Sequence, residues 1–183
     1  PDVALAINVT RHPYSFLGDS KGSGDRLNSG KTWHDGLMSY TGGTEQGALG
    51  AEAQLSSLAR AAGICFRFDQ RTDWQPIESQ RALLWAGRQG KAEQFMDRLN
   101  YRHFEKGESA SDRKTVLAAM SDAGMDAEEA TKFLDTKEME DTVWKSYGST
   151  IHEAGIHAIP FFVFSAPELG VSGGPLRGGP PET

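Results

Sequence analysis

The chain has 183 residues, a formal charge of −6 and 38% hydrophobic residues. At roughly 150 residues per domain this suggests one domain, or one domain with an insertion, able to bury a core without metal or disulfide staples. The acidic balance, with Lys and Arg scattered, argues against a general nucleic-acid binder, and no apolar run approaches the ~20 residues a membrane span needs.

Val3, Leu5, Ile7 and Val9 alternate with small or polar residues, the period of a strand, which His12-Pro13 should end. Residues 18–50 are rich in Gly, Ser, Thr and Asn and read as a surface segment held by contacts outside its own domain. Trp33, Leu37, Met38 and Tyr40 are its only anchors. Helical signals follow. Leu55, Leu58, Ala59 and Ala62 share a face before Gly63; Pro76 opens a helix carrying Leu83, Leu84 and Trp85 and stopping at Gly90. Phe95, Met96 and Leu99 mark another that runs to about Phe104. Ser111-Asp112 precedes one with Val116, Leu117 and Met120, stopped by Gly124. Asp126 to Glu129 has the pattern of a reciprocal capping box, followed by Phe133 and Leu134. A longer helix carries Met139, Val143, Tyr147 and Ile151 before Gly155. Ile156 to Phe164 reads as a strand with Pro160 inside it, and Gly170 to Ser172 as a short return strand. An all-helical middle between strand signals implies a small α/β sheet with a helical insertion.

Chemistry-bearing motifs are few. Cys65 is the only cysteine, so these residues contain no internal disulfide, no Cys-x-x-Cys pair and no multi-cysteine zinc site. Between Ile64 and Phe66, it reads as a small buried hydrophobe. His12, His34, His103, His152 and His157 show no metal-ligand spacing. Ser29-Gly30-Lys31-Thr32 lacks the upstream glycine of a phosphate-binding loop, since position 25 is Asp. No nucleophile-elbow sequence supports a Ser-His-Asp set. Neither a catalytic residue, a cofactor nor a metal is therefore assigned. Trp74, Trp85 and Trp144 read as core or half-buried platforms.

The run Gly155-Ile156-His157-Ala158-Ile159-Pro160-Phe161-Phe162-Val163-Phe164 resembles the cis-proline strand of DsbA-like thioredoxin-fold proteins. It resembles in particular the FrnE-like branch, related to the 2-hydroxychromene-2-carboxylate isomerases. Gly63-Ile64-x-Phe66, Ser79-x-Arg81-Ala82-Leu83-Leu84-Trp85-Ala86, Gly90-Lys91, Tyr101-x-x-Phe104-x-x-Gly107, Val116-Leu117 and Gly124-Met125-Asp126 resemble the helical insertion of that branch. Asn8 to Pro13, with Tyr14 and Phe16, is similar to its second strand and the turn after it.

The resemblance implies an α/β fold: a thioredoxin-like sheet from residues 1–17 and 137–183, a glycine-rich surface segment at 18–50, and an all-helical insertion at 51–136. The first βα unit is expected to be missing and the chain cropped at both ends, which leaves open whether a C-terminal helix is present. It implies a cis Ile159–Pro160 bond at the entry of a central strand, with Phe161 to Phe164 alternating between two covered faces. In the family the turn at Ile159, Pro160 and Phe161 presents backbone to an extended peptide. The family is one of thiol–disulfide oxidoreductases, whose Cys-x-x-Cys at a helix N-terminus this chain does not contain. Two readings follow: a non-catalytic binding or structural subunit of a protein assembly, or a fragment of an oxidoreductase or glutathione-dependent isomerase. Protein partners are expected, nucleic acid and a membrane span are not, and a reducing compartment or organelle interior is favoured slightly over secretion.

Overall fold

The computed structural model describes residues 7–20, 31–166, 171–172 and 176–177. Seven α-helices are described: α1 (Trp33–Tyr40), α2 (Glu45–Ala61), α3 (Ile77–Arg88), α4 (Ala92–Asn100), α5 (Arg113–Asp122), α6 (Ala127–Asp135) and α7 (Glu140–Gly148). Two of them run on without a break into π-helical turns, α4 through Tyr101–Glu105 and α7 through Ser149–Glu153. Four short strands are described, β1 (Phe161–Phe162), β2 (Ser165–Ala166), β3 (Val171–Ser172) and β4 (Leu176–Arg177).

The core is the helical insertion. Ala82, Leu83 and Ala86 of α3 meet Phe95 and Leu99 of α4, Val116, Ala119 and Met120 of α5, and Phe133 and Leu134 of α6. Trp85 stacks on Phe133 with ring centroids 5.0 Å apart and planes 12° from parallel. Burying each of the Leu, Val, Met and Phe side chains contributes about 1.5–3 kcal/mol. Arg81 lies inside the same core, 2% exposed. It donates to the carbonyls of Glu138 (2.7 Å), Thr136 (2.6 Å) and Phe133 (3.3 Å), and to Glu78 (3.0 Å). One guanidinium thus satisfies orphan carbonyls at the end of α6 and fixes the turn into α7.

The helix boundaries follow the expected signals: Gly63, Gly90, Gly107, Gly124 and Gly155 take positive φ just past the helices they end. The cap at α6 is one-sided. Asp126 Oδ1 accepts from the N–H groups of both Glu128 (3.0 Å) and Glu129 (2.9 Å), but Glu129 makes no return bond. A complete capping box occurs instead at α1, between Thr32 and Asp35.

Four expectations are corrected. Within 18–50 the residues from 33 onward fold as α1 and the first turns of α2, and the contacts that hold them come from this chain. Trp33 packs on His103 and Phe104, and the 68–72 segment bonds Trp33, His34 and Lys31 through its backbone. Capping threonines and a single aromatic anchor outweighed the glycine content. Tyr40, by contrast, is exposed and anchors nothing. Cys65 is exposed: from Cys65 to Phe68 exposure alternates, so that Phe66, packed on Phe104 and Phe68, and Phe68 itself are half-buried while Cys65 and Arg67 face out. Residues 7–13 form no strand, and Ile7 and Val9 are exposed. The rest of that expected strand, residues 1–6, lies outside the described residues.

Candidate functional site

The turn at Ile159–Pro160 is positioned from both sides. On the upstream side α7 widens into its π-helical turn, the Ala154 N–H closing on Ser149 O and the Ile156 N–H on Thr150 O, both at 2.9 Å. Gly155, at φ 62°, reverses the chain there. The Ile159–Pro160 peptide bond is cis, as the sequence led us to expect. On the downstream side β1 pairs antiparallel with β4, Phe161 opposite Arg177 and Phe162 opposite Leu176; β2 pairs with β3, Ser165 opposite Ser172.

Among the described residues these are two separate two-stranded ladders, with no central strand under helices. Ile159, Phe162, Val163 and Phe164 are 49%, 53%, 69% and 54% exposed, so the expectation of two covered faces does not hold among the described residues. A strand is covered only where neighbours flank both edges and helices lie on both faces. Among the described residues β1 has one partner, of two residues. The result is a run of large apolar side chains beside the turn, with the Phe162 and Phe164 rings 6.3 Å apart.

A second aromatic set reaches the segment that leads into the turn, through Tyr14. Tyr14 Oη donates to Ile156 O at 3.4 Å. Its ring meets Phe16 edge-on at 5.1 Å, and Phe16 meets Trp74 edge-on at 6.5 Å. Partial burial raises the Tyr14 hydroxyl above its ordinary pKa, so it stays a neutral donor. The segment carrying Tyr14 and Phe16 is held by three hydrogen bonds, to α7 and to the loop that precedes α3. Ser146 of α7 donates to Pro13 O (2.9 Å), Ser15 Oγ donates to Trp74 O (3.2 Å), and Gln75 Nε2 donates to Gly18 O (3.0 Å). Gly18 is required at its position: at φ 58° its absent Cβ would stand 3.3 Å from the His152 ring. Of this set, sequence reasoning singled out Trp74 as a platform but not its coupling to Phe16. The aromatic alternation at 14 and 16 was the available signal.

No thiol joins this arrangement. Cys65 lies on the 64–72 segment, its N–H bonded to Glu105 Oε2 at 3.2 Å. The turn can offer backbone and apolar surface to a ligand; it offers no nucleophile, and no group of metal-holding side chains occurs among the described residues.

The geometry matches a known family. A family model of the DSBA-like thioredoxin domain matches residues 4–173. The chain belongs to that family. A probable DsbA oxidoreductase from Streptomyces coelicolor has a similar structure, with a TM-score of 0.68 and 21% identity over 82% of this chain and 62% of that one. At that identity the likeness shows the fold, thioredoxin-like with a helical insertion and little sheet. The chain spans 62% of the length of that solved structure. No curated protein matches it.

Proposed function

We propose that this chain binds extended protein segments at the turn formed by Ile159, Pro160 and Phe161, as a member of the FrnE-like branch that by itself is a non-catalytic binding or structural subunit. The observation that carries the reading is the exposed apolar run from Ile159 to Phe164, in a chain whose single cysteine lies elsewhere. Contiguous exposed apolar surface marks interaction sites, and an extended peptide can add its backbone beside a short strand such as β1. A second reading is favoured by one observation, the 62% coverage of an oxidoreductase. In it the same surface is the substrate-binding part of a thiol–disulfide oxidoreductase or related isomerase. No helix among the described residues is long and apolar enough to cross a membrane.

The test is binding of the 183-residue chain to a fluorescent, reduced and unfolded protein, followed by anisotropy. Ile159→Asp places a charge at an exposed site, where the effect on stability stays within about 0.5 kcal/mol. It is expected to weaken binding at least tenfold. Binding that is unaltered by Ile159→Asp and by Phe162→Asp would remove this surface from consideration.

A further inference from the structure

Two neighbouring residues at the start of α1 make contacts with opposite proton requirements. Trp33 Nε1–H points at His103 Nε2, 2.9 Å away. Indole N–H can only donate, so Nε2 must be a lone pair. A neutral imidazole then carries its proton on Nδ1, which donates to Glu108 O at 3.0 Å. The Ala110 N–H, 3.2 Å from the same Nδ1, finds no lone pair there. His103 is thereby fixed as neutral, and burial lowers its pKa in the same sense. His34 is the reverse. Its Nδ1 faces Glu52 Oε1 at 2.6 Å and its Nε2 faces Glu45 Oε2 at 3.0 Å, both from α2. Carboxylates only accept, so both bonds form only if both ring nitrogens carry protons. The two carboxylates raise the His34 pKa, through hydrogen bonding first.

We infer that α1 is a pH-sensitive clasp: neutral His103 holds Trp33 to the helical insertion, charged His34 holds α1 to α2, and either limb opens when its histidine changes charge. Other charges surround the two histidines. On α1, Asp35 accepts from Thr32, and its carboxylate also attracts the His34 charge, in the same sense as Glu45 and Glu52. Next to His103, Arg102 pairs with Glu108 and Asp122, and Glu105 accepts from the Cys65 N–H. On the facing segment Arg67 pairs with Asp69, and Arg71 with Asp73 and Asp112.

The signs give a window. His103, with its folded pKa depressed, contributes fully above the unfolded histidine value of about 6.5, and its contribution is lost as pH falls below it. His34, with its folded pKa raised, contributes fully below about 6.5 and is lost as pH rises through the raised value. Anchoring of α1 is therefore greatest near neutrality and weakens on both sides. α2 packs chiefly on α1, so the whole α1–α2 hairpin feels both limbs.

The test is the indole N–H resonance of Trp33 in the intact chain, assigned by Trp33→Phe and followed by two-dimensional NMR across the pH range from acid to alkaline. The Trp33 resonance is expected to shift once below neutrality and once above it, while those of Trp74, Trp85 and Trp144 hold still. His103→Gln, whose amide oxygen can still accept from Trp33, removes the acid shift alone; His34→Gln removes the alkaline shift alone. A stationary Trp33 resonance, shifts that survive both variants, or four indoles moving together would each overturn the clasp.

Discussion

Arg81 shows how one side chain can carry a junction. Its charge is tolerated in the core because its donors meet three carbonyls and the Glu78 carboxylate, and because its guanidinium lies 5.0 Å over the Phe133 ring. Arg81→Met keeps the volume but strands those carbonyls, each with a desolvation penalty of roughly 1–3 kcal/mol, partly relieved by water. A loss of about 3 kcal/mol is expected, read as a lower denaturation midpoint with unchanged slope. Arg81→Lys should recover little of it, since an ammonium cannot span three carbonyls in a fixed fork. If Arg81→Met is as stable as the parent, the carbonyl network is not what fixes the turn from α6 to α7. Sequence alone marked Arg81 only as part of a motif. That it is buried depends on where α6 ends, 52 residues or more further on, which no local period encodes.

At the scale of elements, what was readable was what is local. Glycines after Ala61, Arg88, Asp122 and the π-helical turns mark helix ends through their own φ, and the apolar spacing of Phe95 and Leu99, or of Val116 and Met120, picks out the buried face. What was not readable was α1, whose eight residues are too few to be stable alone and rest on Trp33 meeting His103 seventy positions away. The α1–α2 hairpin also gives a test that separates two glycines on one helix. Alanine normally stabilises a helix interior relative to glycine by about 1 kcal/mol. At Gly50 an added Cβ meets nothing within 4 Å, so Gly50→Ala should raise stability by up to that amount. At Gly47 it would lie 2.6 Å from the Thr41 carbonyl oxygen, in the connection between α1 and α2. Gly47→Ala should therefore lower stability, by ~1–3 kcal/mol as for other overpacked contacts. Thermal melts of the two variants should move in opposite directions; movement in the same direction would show that the hairpin is looser than its contacts imply.

Across the whole molecule, the family's fold and its cis-proline turn are present, whereas these residues hold one thiol. The turn was legible because a Pro-Phe-Phe-Val-Phe run is unusual enough to carry a resemblance. The exposure of that run was not, because what covers a strand is decided by its neighbours and not by its own sequence. The chemistry follows from counting sulfur atoms. Reducing a protein disulfide begins with attack by a thiolate, which leaves a mixed disulfide. Releasing the substrate in a second step takes another thiol, and a dithiol enzyme has it in place. Cys65 is exposed, so it can reach the first step, but the chain holds no second cysteine to complete the cycle. The 183-residue chain, given excess dithiothreitol and insulin, is thus expected to precipitate the insulin chains no faster than dithiothreitol alone. Cys65→Ser is expected to change nothing, since a mixed disulfide resolved only by the bulk reductant gains no rate over the direct reaction. Turnover above the background that disappears in Cys65→Ser would make Cys65 a working nucleophile resolved from outside. Turnover that survives the substitution could not come from any thiol of this chain, and the account of its chemistry would fail.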